Sequence, residues 1–253
     1  MKRLFLFVLL IALISMSVFC AGREINVLFI GNSLTYYNNL PGMVSQMGES
    51  RHHIMKYEMY TPDGYRLIQH AADKKVFDLL KNKKWDYVVL QDLHHILFLT
   101  PEQLRREVYS SAEKLCAAAR SANKKAHIVF YMTLAQNRGF KNAPEYATPA
   151  KIQGKLNRIY VAMAKDNHAL LSPVGMAWAI VRKDQPNMDL YQDEFHPNLT
   201  GSYLAACVFY RVIFKESPVG LPYPKEINKK VALYLQRTAD KAVAGTKWNW
   251  EKK

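Results

Sequence analysis

The stretch INVLFIGNSLT, residues 25–35, constrains the fold more than any other part of the sequence. Residues 25–30 form a short apolar run with β-branched side chains and no helical period, which is typical of a strand buried on both faces. Gly31, Asn32 and Ser33 follow the run directly. The pattern predicts a tight polar turn at the carboxyl end of a buried parallel strand.

Four more strand-like segments follow, and helical periodicity separates them. The segments are residues 54–60, 87–90, 126–132 and 169–174, and the helices are expected at residues 40–50, 66–82, 100–123, 150–166, 201–214 and 225–244. Strands that alternate with helices predict a parallel sheet with right-handed crossovers. We therefore expect a flavodoxin-like three-layer α/β/α sandwich with a five-stranded parallel sheet. No linker or repeat interrupts it, so residues 23–253 are expected to form one domain.

The first 22 residues resemble a secretory signal peptide. Lys2 and Arg3 precede an apolar run over residues 4–14, and Cys20-Ala21-Gly22 follows. A membrane span needs about 20 apolar residues, so no stable span is expected after cleavage. The prediction is export to the periplasm or the outside. An uncleaved anchor and lipid attachment at Cys20 remain alternatives, although Phe19 is a poor fit to a lipoprotein signal.

The formal charge of +14 is distributed along the chain rather than gathered in one stripe. Such a surplus favours anionic polymers or membrane surfaces through long-range attraction, or it is simply a basic surface. No nucleic-acid motif accompanies it, so no nucleic-acid partner is expected. Nothing in the sequence specifies an oligomeric state.

Cysteine and histidine spacing does not indicate a metal site. The pairs His52-His53 and His94-His95 are adjacent, and adjacent side chains point in different directions on a strand or helix. Cys116 and Cys207 lie in apolar segments, which favours two buried thiols, although export would permit a disulfide. We expect neither a metal nor another cofactor.

Ser33 is a candidate nucleophile because its predicted turn lies at the carboxyl edge of the sheet. There the hydroxyl would face a crevice, and the backbone N–H groups of the turn would be available to an oxyanion. The alternative is that Ser33 only caps the next helix. Asp193 and His196 are three residues apart in one loop, so carboxylate and imidazole can lie side by side and activate a serine.

These residues resemble sequence blocks of the SGNH (GDSL-type) hydrolases. Gly31-Asn32-Ser33-Leu34 is similar to their first block, Gly64 to their second, and Asp193-Glu194-Phe195-His196 to their last. The resemblance spans nearly the whole chain after the leader. It implies a Ser33–His196–Asp193 triad and oxyanion donors at the N–H groups of Ser33 and Gly64.

Two departures distinguish this chain from the usual family pattern. Asn32 stands where the family usually has an aspartate, and no Gly-x-Asn-Asp block supplies the usual oxyanion asparagine. Gln91, after Val88-Val89-Leu90, occupies the expected place and is the candidate third donor. Together with Pro-Val-Gly-x-Ala-Trp at residues 173–178, these features resemble a bacterial branch of the superfamily.

The implied activity is a serine esterase without a cofactor, acting on short acyl or acetyl esters of a small molecule or glycan. A sugar O-acyltransferase and a catalytically silent carbohydrate-binding protein are the alternatives. The aperiodic segment 133–148 is expected to shape the substrate pocket or to be disordered. The candidate substrate-binding residues are Asn32, Tyr36, Tyr37, Trp178 and Tyr191.

Overall fold

A computed structural model describes residues 22–246 of the chain. The predicted signal peptide, with Cys20, lies outside the described residues except for Gly22. Within the described range the strands are β1 (Glu24–Ile30), β2 (Ile54–Tyr60), β3 (Tyr87–Leu90), β4 (His127–Tyr131) and β5 (Leu170–Ser172). All five lie within one or two residues of the segments predicted from apolar periodicity.

The α-helices surround these strands. They are α1 (Ser33–Tyr36), α2 (Leu40–Glu49), α3 (Leu67–His70), α4 (Lys74–Asn82), α5 (Pro101–Gln103), α6 (Ser110–Ala122), α7 (Pro149–Asp166), α8 (Val174–Asp184), α9 (Leu199–Phe214) and α10 (Lys229–Gly245). A π-helical stretch, Leu104–Tyr109, joins α5 to α6, and 3₁₀ turns cover Tyr37–Asn39, His94–Phe98 and Pro144–Tyr146.

The sheet is parallel throughout, with strand order β2-β1-β3-β4-β5. This confirms the predicted flavodoxin-like α/β fold. After β1 the chain forms β2 on one edge of β1, and it then forms β3 on the opposite edge of β1. The connections from β1 and β3 therefore diverge, and the carboxyl ends of these two strands flank a crevice. Ligands of doubly wound sheets bind at such a switch point.

Each face of the sheet covers its own apolar core, because neighbouring residues of a strand point to opposite faces. Val27 and Phe29 of β1 pack into the core shared with α2, α8, α9 and α10. Leu28 and Ile30 pack into the core formed with α4, α6 and α7. Burial on both faces explains why β1 is a nearly continuous apolar run.

The segment predicted as one helix over residues 66–82 is two helices instead. α3 ends at His70, and the Asp73 carboxylate then accepts a hydrogen bond from the Lys75 N–H as the N-cap of α4. An aspartate favours a helix start because it satisfies a free N–H of the first turn. The amphipathic pattern therefore continues across a break in the backbone.

Cys116 and Cys207 are both buried and free, so the expectation of two buried thiols is confirmed. No helix between residues 22 and 246 has the length and apolar character required to cross a bilayer.

Candidate active site

Ser33 is the first residue of α1, directly beyond β1. Asn32, and not Ser33, is the N-cap: its side-chain oxygen accepts a hydrogen bond from the Leu34 N–H at 3.2 Å. The interpretation of Ser33 as a cap is therefore wrong. Because a first-turn N–H has no partner within its helix, the Ser33 N–H remains available to a ligand at this edge.

The turn around Ser33 is held by a buried glutamine on the neighbouring strand end. The Gln91 side-chain carbonyl accepts hydrogen bonds from the Asn32 N–H at 2.8 Å and from the Thr35 hydroxyl at 2.9 Å. A Cβ at Gly31 would lie 2.5 Å from that carbonyl oxygen and 2.4 Å from the Thr35 hydroxyl oxygen. Glycine is required at residue 31 because the bracing groups approach its backbone so closely.

The same geometry corrects the predicted role of Gln91 as an oxyanion donor. Its side chain is fully buried, and its amide N–H donates to the main-chain oxygen of Asp92 at 2.7 Å. Because the side chain has no exposed surface, with its carbonyl turned toward Asn32 and one amide N–H bound to Asp92, Gln91 is closed off from the crevice. It positions the Ser33 turn instead.

Gly64 lies in a turn that is tied to the Ser33 turn. The Tyr65 N–H donates to the Pro62 carbonyl at 3.3 Å, and Gly64 has φ +67°, a conformation that strongly favours glycine at this turn position. The Asn32 side-chain amide donates to the Tyr65 carbonyl at 2.9 Å. An aspartate at residue 32 could not donate this bond, which gives the Asp-to-Asn departure a structural reason.

Asn32 is also a corrected prediction, because its side chain cannot reach a substrate. The residue has no exposed surface. Its side-chain oxygen caps α1 and its amide nitrogen binds the Gly64 turn. Asn32 therefore links the two turns rather than lining the crevice.

Asp193 and His196 lie in a hydrogen-bonded loop between α8 and α9. An isolated bridge joins Tyr191 to Pro197, and the Gln192 N–H donates to the His196 carbonyl at 2.9 Å. Inside the loop, one Asp193 carboxylate oxygen accepts the main-chain N–H groups of Phe195 and His196 at 2.8 and 2.7 Å. The backbone thus fixes the carboxylate beside the imidazole.

The three predicted catalytic side chains form one hydrogen-bonded chain. The Ser33 hydroxyl lies 2.9 Å from Nε2 of His196, and Nδ1 of His196 lies 2.8 Å from the second carboxylate oxygen of Asp193. Partial burial disfavours the charged carboxylate. The N–H bonds from His196 and Phe195 and the nearby imidazole outweigh burial and lower the pKa of Asp193. An ionised Asp193 holds the Nδ1 proton, which leaves Nε2 to accept the serine proton.

The tyrosines after Ser33 contact the triad rather than standing apart as a platform. The Tyr37 ring stacks on the His196 imidazole, with centroids 4.2 Å apart and planes at 8°. Tyr36 stacks on Tyr37, and its hydroxyl donates to the Asp63 carboxylate at 2.6 Å. That hydrogen bond is the main reason why the pKa of Tyr36 rises to about 12. Both rings help to fix the imidazole and the Gly64 turn, and both stay partly exposed.

Trp178 and Tyr191 do not line the crevice as open aromatic surfaces. They are 1% and 5% exposed and meet edge to face, with centroids 5.8 Å apart. The Tyr191 hydroxyl donates to the Ala135 carbonyl at 2.6 Å, and the two rings border a cavity of about 250 Å³ together with Gln153. Their packing supports the base of the loop that carries Asp193 and His196 (residues 185–198, the catalytic loop).

Segment 133–148 packs against both the catalytic loop and the loop after β3. The Asn137 N–H donates to the Glu194 carbonyl, and the Arg138 N–H donates to the Glu194 carboxylate, each at 2.8 Å. On its other side, the Tyr146 hydroxyl donates to the Leu97 carbonyl at 2.8 Å. These contacts favour the expected pocket-shaping role over disorder.

Comparison with solved structures finds the same architecture in other proteins. A DUF4886 family protein from Bacteroides uniformis matches 87% of this chain and 95% of its own, with 19% identity and a TM-score of 0.75. A protein from Slackia heliotrinireducens assigned to the SGNH hydrolases matches 76% of this chain and all of its own, with 26% identity and a TM-score of 0.60. This chain has the SGNH-hydrolase fold. The predicted resemblance is confirmed at the level of the fold.

A more distant SGNH-fold match is an acetylxylan esterase from Geobacillus stearothermophilus. It shares 16% identity over 76% of this chain and 95% of its own, with a TM-score of 0.53. No family model and no curated protein matches the sequence.

The SGNH fold brings several residues to the site that the sequence analysis did not select. Thr35 and His70 brace the Ser33 turn; His70 donates from Nε2 to the Gly31 carbonyl at 2.8 Å. His94 stacks on Phe195 of the catalytic loop. Of these three residues, only His94 could have been selected from the sequence. It follows the predicted strand β3 closely, just as Ser33 follows β1, so it is expected at the same edge of the sheet.

Proposed function

We propose that the protein is a serine esterase in which Ser33 is the nucleophile, His196 the base and Asp193 the group that orients His196. The observation that carries the proposal is the hydrogen-bonded chain from the Ser33 hydroxyl through His196 to Asp193, with links of 2.9 and 2.8 Å. These distances lie within the range over which a base accepts a serine proton.

The proposed reaction follows from this chain of contacts. Nε2 of His196 takes the hydroxyl proton as Ser33 attacks the ester carbonyl carbon, and the carbonyl oxygen becomes an oxyanion. The N–H groups of Ser33 and Gly64 are the proposed oxyanion donors. The intermediate expels the alcohol, which receives the proton from His196. Water then attacks the acyl ester on Ser33 and gives a proton to His196. The Ser33 oxygen leaves and takes that proton, which releases the acid and restores the enzyme.

The proposed substrate is a short acyl ester, with an acetylated carbohydrate as the preferred class. The likeness of the fold to an acetylxylan esterase supports this choice. The partly exposed Tyr36 and Tyr37 rings beside the triad also suit a sugar at the mouth of the crevice. Export, with the leader removed, is part of the proposal because residues 1–22 resemble a secretory signal.

Ser33→Ala tests the mechanism directly. The variant loses only the hydroxyl of a partly buried residue, and with it the attacking oxygen. We therefore expect loss of fluorophosphonate labelling and of p-nitrophenyl acetate hydrolysis, with an unchanged Tm. Retention of most turnover by Ser33→Ala would contradict the serine mechanism. If the protein is labelled but forms an acylated sugar in place of free acid when a sugar acceptor is added, the activity is acyl transfer rather than hydrolysis.

The substrate class needs a separate comparison. We expect release of acetate from acetylated polysaccharides, and faster hydrolysis of p-nitrophenyl acetate than of longer acyl esters. A wild-type protein that binds such polysaccharides but is neither labelled nor active would indicate a silent binding protein.

A further inference from the structure

The structure leaves the crevice without the third oxyanion donor that Gln91 was expected to supply. The Gln91 amide nitrogen binds the Asp92 carbonyl, and Asp92 itself is fully buried. The next polar side chain along this loop is that of His94, which is only partly buried. Any side-chain donor from the β3 end of the crevice must therefore come from beyond Asp92.

The strand register brings the segments that carry Ser33 and His94 out of the sheet side by side. Ile30 of β1 pairs with Leu90 of β3, so the two chains leave the sheet side by side. Ser33 is three residues beyond Ile30, and His94 is four residues beyond Leu90. The switch point between β1 and β3 lies between these two segments.

A ring contact ties His94 to the catalytic loop. Its imidazole stacks on the Phe195 ring, with centroids 4.7 Å apart and planes at 11°. Phe195 directly precedes His196, and its main-chain N–H binds the Asp193 carboxylate. The contact therefore places the His94 imidazole beside the loop that carries Asp193 and His196.

The surroundings of His94 favour its uncharged form. Burial lowers the pKa of His94 to about 4, and the neighbouring imidazoles of His95 and His196 act in the same direction. A neutral imidazole carries one N–H donor, and such a group can polarise a substrate carbonyl.

We propose that the imidazole N–H of His94 donates a hydrogen bond to the ester carbonyl oxygen and to the oxyanion that forms from it. His94 then completes a set of three donors with the main-chain N–H groups of Ser33 and Gly64. This inference rests on the proposed serine mechanism. In this proposal His94 takes the role of third oxyanion donor, which the buried Gln91 side chain cannot fill.

The test compares His94→Ala and His94→Gln with the matched control His95→Ala, whose side chain is exposed and contacts Phe98 instead. Loss of an oxyanion donor lowers kcat by roughly 10²–10³-fold. For His94→Ala we expect a fall in kcat of about 10²-fold on p-nitrophenyl acetate, a nearly constant KM and slower fluorophosphonate labelling. His94→Gln retains a neutral N–H donor and should recover part of kcat, and His95→Ala should match the wild type.

Several outcomes would overturn the inference without touching the serine mechanism. These are a wild-type kcat in His94→Ala, an effect confined to KM, or equal losses in His94→Ala and His94→Gln when both keep the wild-type Tm. If His94→Ala unfolds, His94→Gln decides alone: a stable protein with kcat as low as that of Ser33→Ala would overturn the donor role. Absence of labelling and turnover in the wild type would overturn both proposals.

Discussion

At the scale of single residues, the site depends on side chains that never face the substrate. Gln91 holds Asn32 and Thr35, and Asn32 in turn holds the Gly64 turn through the Tyr65 carbonyl. All three braces are buried, so their hydrogen bonds are shielded from water and their loss leaves partners unsatisfied. The position of the Ser33 hydroxyl is set by this buried network.

Gln91→Ala is expected to act on stability first. The change leaves the buried Asn32 N–H and Thr35 hydroxyl without their acceptor, and each unsatisfied group costs about 1–3 kcal/mol. We expect a lower free energy of unfolding in urea and a reduced kcat through displacement of the Ser33 turn. Gln46→Ala, at an exposed position of α2, is the control. Loss of kcat with a fully retained free energy of unfolding would mean that Gln91 acts on the substrate after all.

At the scale of elements, three loops build the site at one edge of the sheet. Segment 133–148 binds the catalytic loop through Glu194 and the loop after β3 through Tyr146. Asp193 and His196 themselves are held in place by hydrogen bonds within their own loop. We therefore expect segment 133–148 to shape the pocket, whereas the geometry of Asp193 and His196 depends on hydrogen bonds within their own loop.

Glu194→Ala is expected to separate these two functions. The variant loses the carboxylate that accepts the Arg138 N–H but keeps its main-chain bond to Asn137. The lost hydrogen bond contributes about 0.5–1.5 kcal/mol to the docking of segment 133–148, so KM should rise by no more than roughly 10-fold, with kcat nearly unchanged. Steady-state kinetics measure both constants. Glu194→Gln keeps an acceptor and should resemble the wild type, and a fall in kcat alone in Glu194→Ala would contradict the separation.

At the scale of the whole molecule, a parallel sheet with a core on each face carries the site at its switch point. Tight packing around the site also encloses an ionisable residue, Asp92. Asp92 has no exposed surface, and burial raises the pKa of its carboxyl to about 7 although Arg66 opposes the shift. The stability of the fold is thereby linked to pH.

The raised pKa of Asp92 makes the free energy of unfolding depend on pH. Because the pKa of Asp92 is raised above its ordinary 3.8, the folded chain keeps a proton that the unfolded chain releases. The resulting stabilisation is full below the ordinary value and is lost as pH rises toward 7. Asp92→Asn should therefore gain stability relative to the wild type between about pH 4 and about pH 8, as measured by urea unfolding.

The control for this prediction is Asp78→Asn, which alters an exposed pair with Lys74. Its difference from the wild type should be nearly independent of pH, because exposed pairs contribute little. A constant difference between Asp92→Asn and the wild type across the same pH range would refute the link.

The sequence by itself determined the parallel α/β architecture and the candidates for the triad. Periodicity of apolar residues is a local property, and it located all five strands within one or two residues. Ser33, Asp193 and His196 could be selected because parallel strands end at a common edge and because two of them share one short loop. The choice of candidates needs only neighbouring residues and the direction of the strands, whereas their grouping into one triad was implied by the resemblance to the SGNH sequence blocks.

Only the tertiary structure decided how the side chains near the site are used. Gln91 and His94 both follow β3. The Gln91 side chain is buried because its carbonyl accepts the hydrogen bond of the Asn32 N–H. Trp178 and Tyr191 are buried by each other, and Asp73 divides a continuous amphipathic pattern. Each result depends on hydrogen-bond partners and packing between residues far apart in the chain, which no local pattern contains.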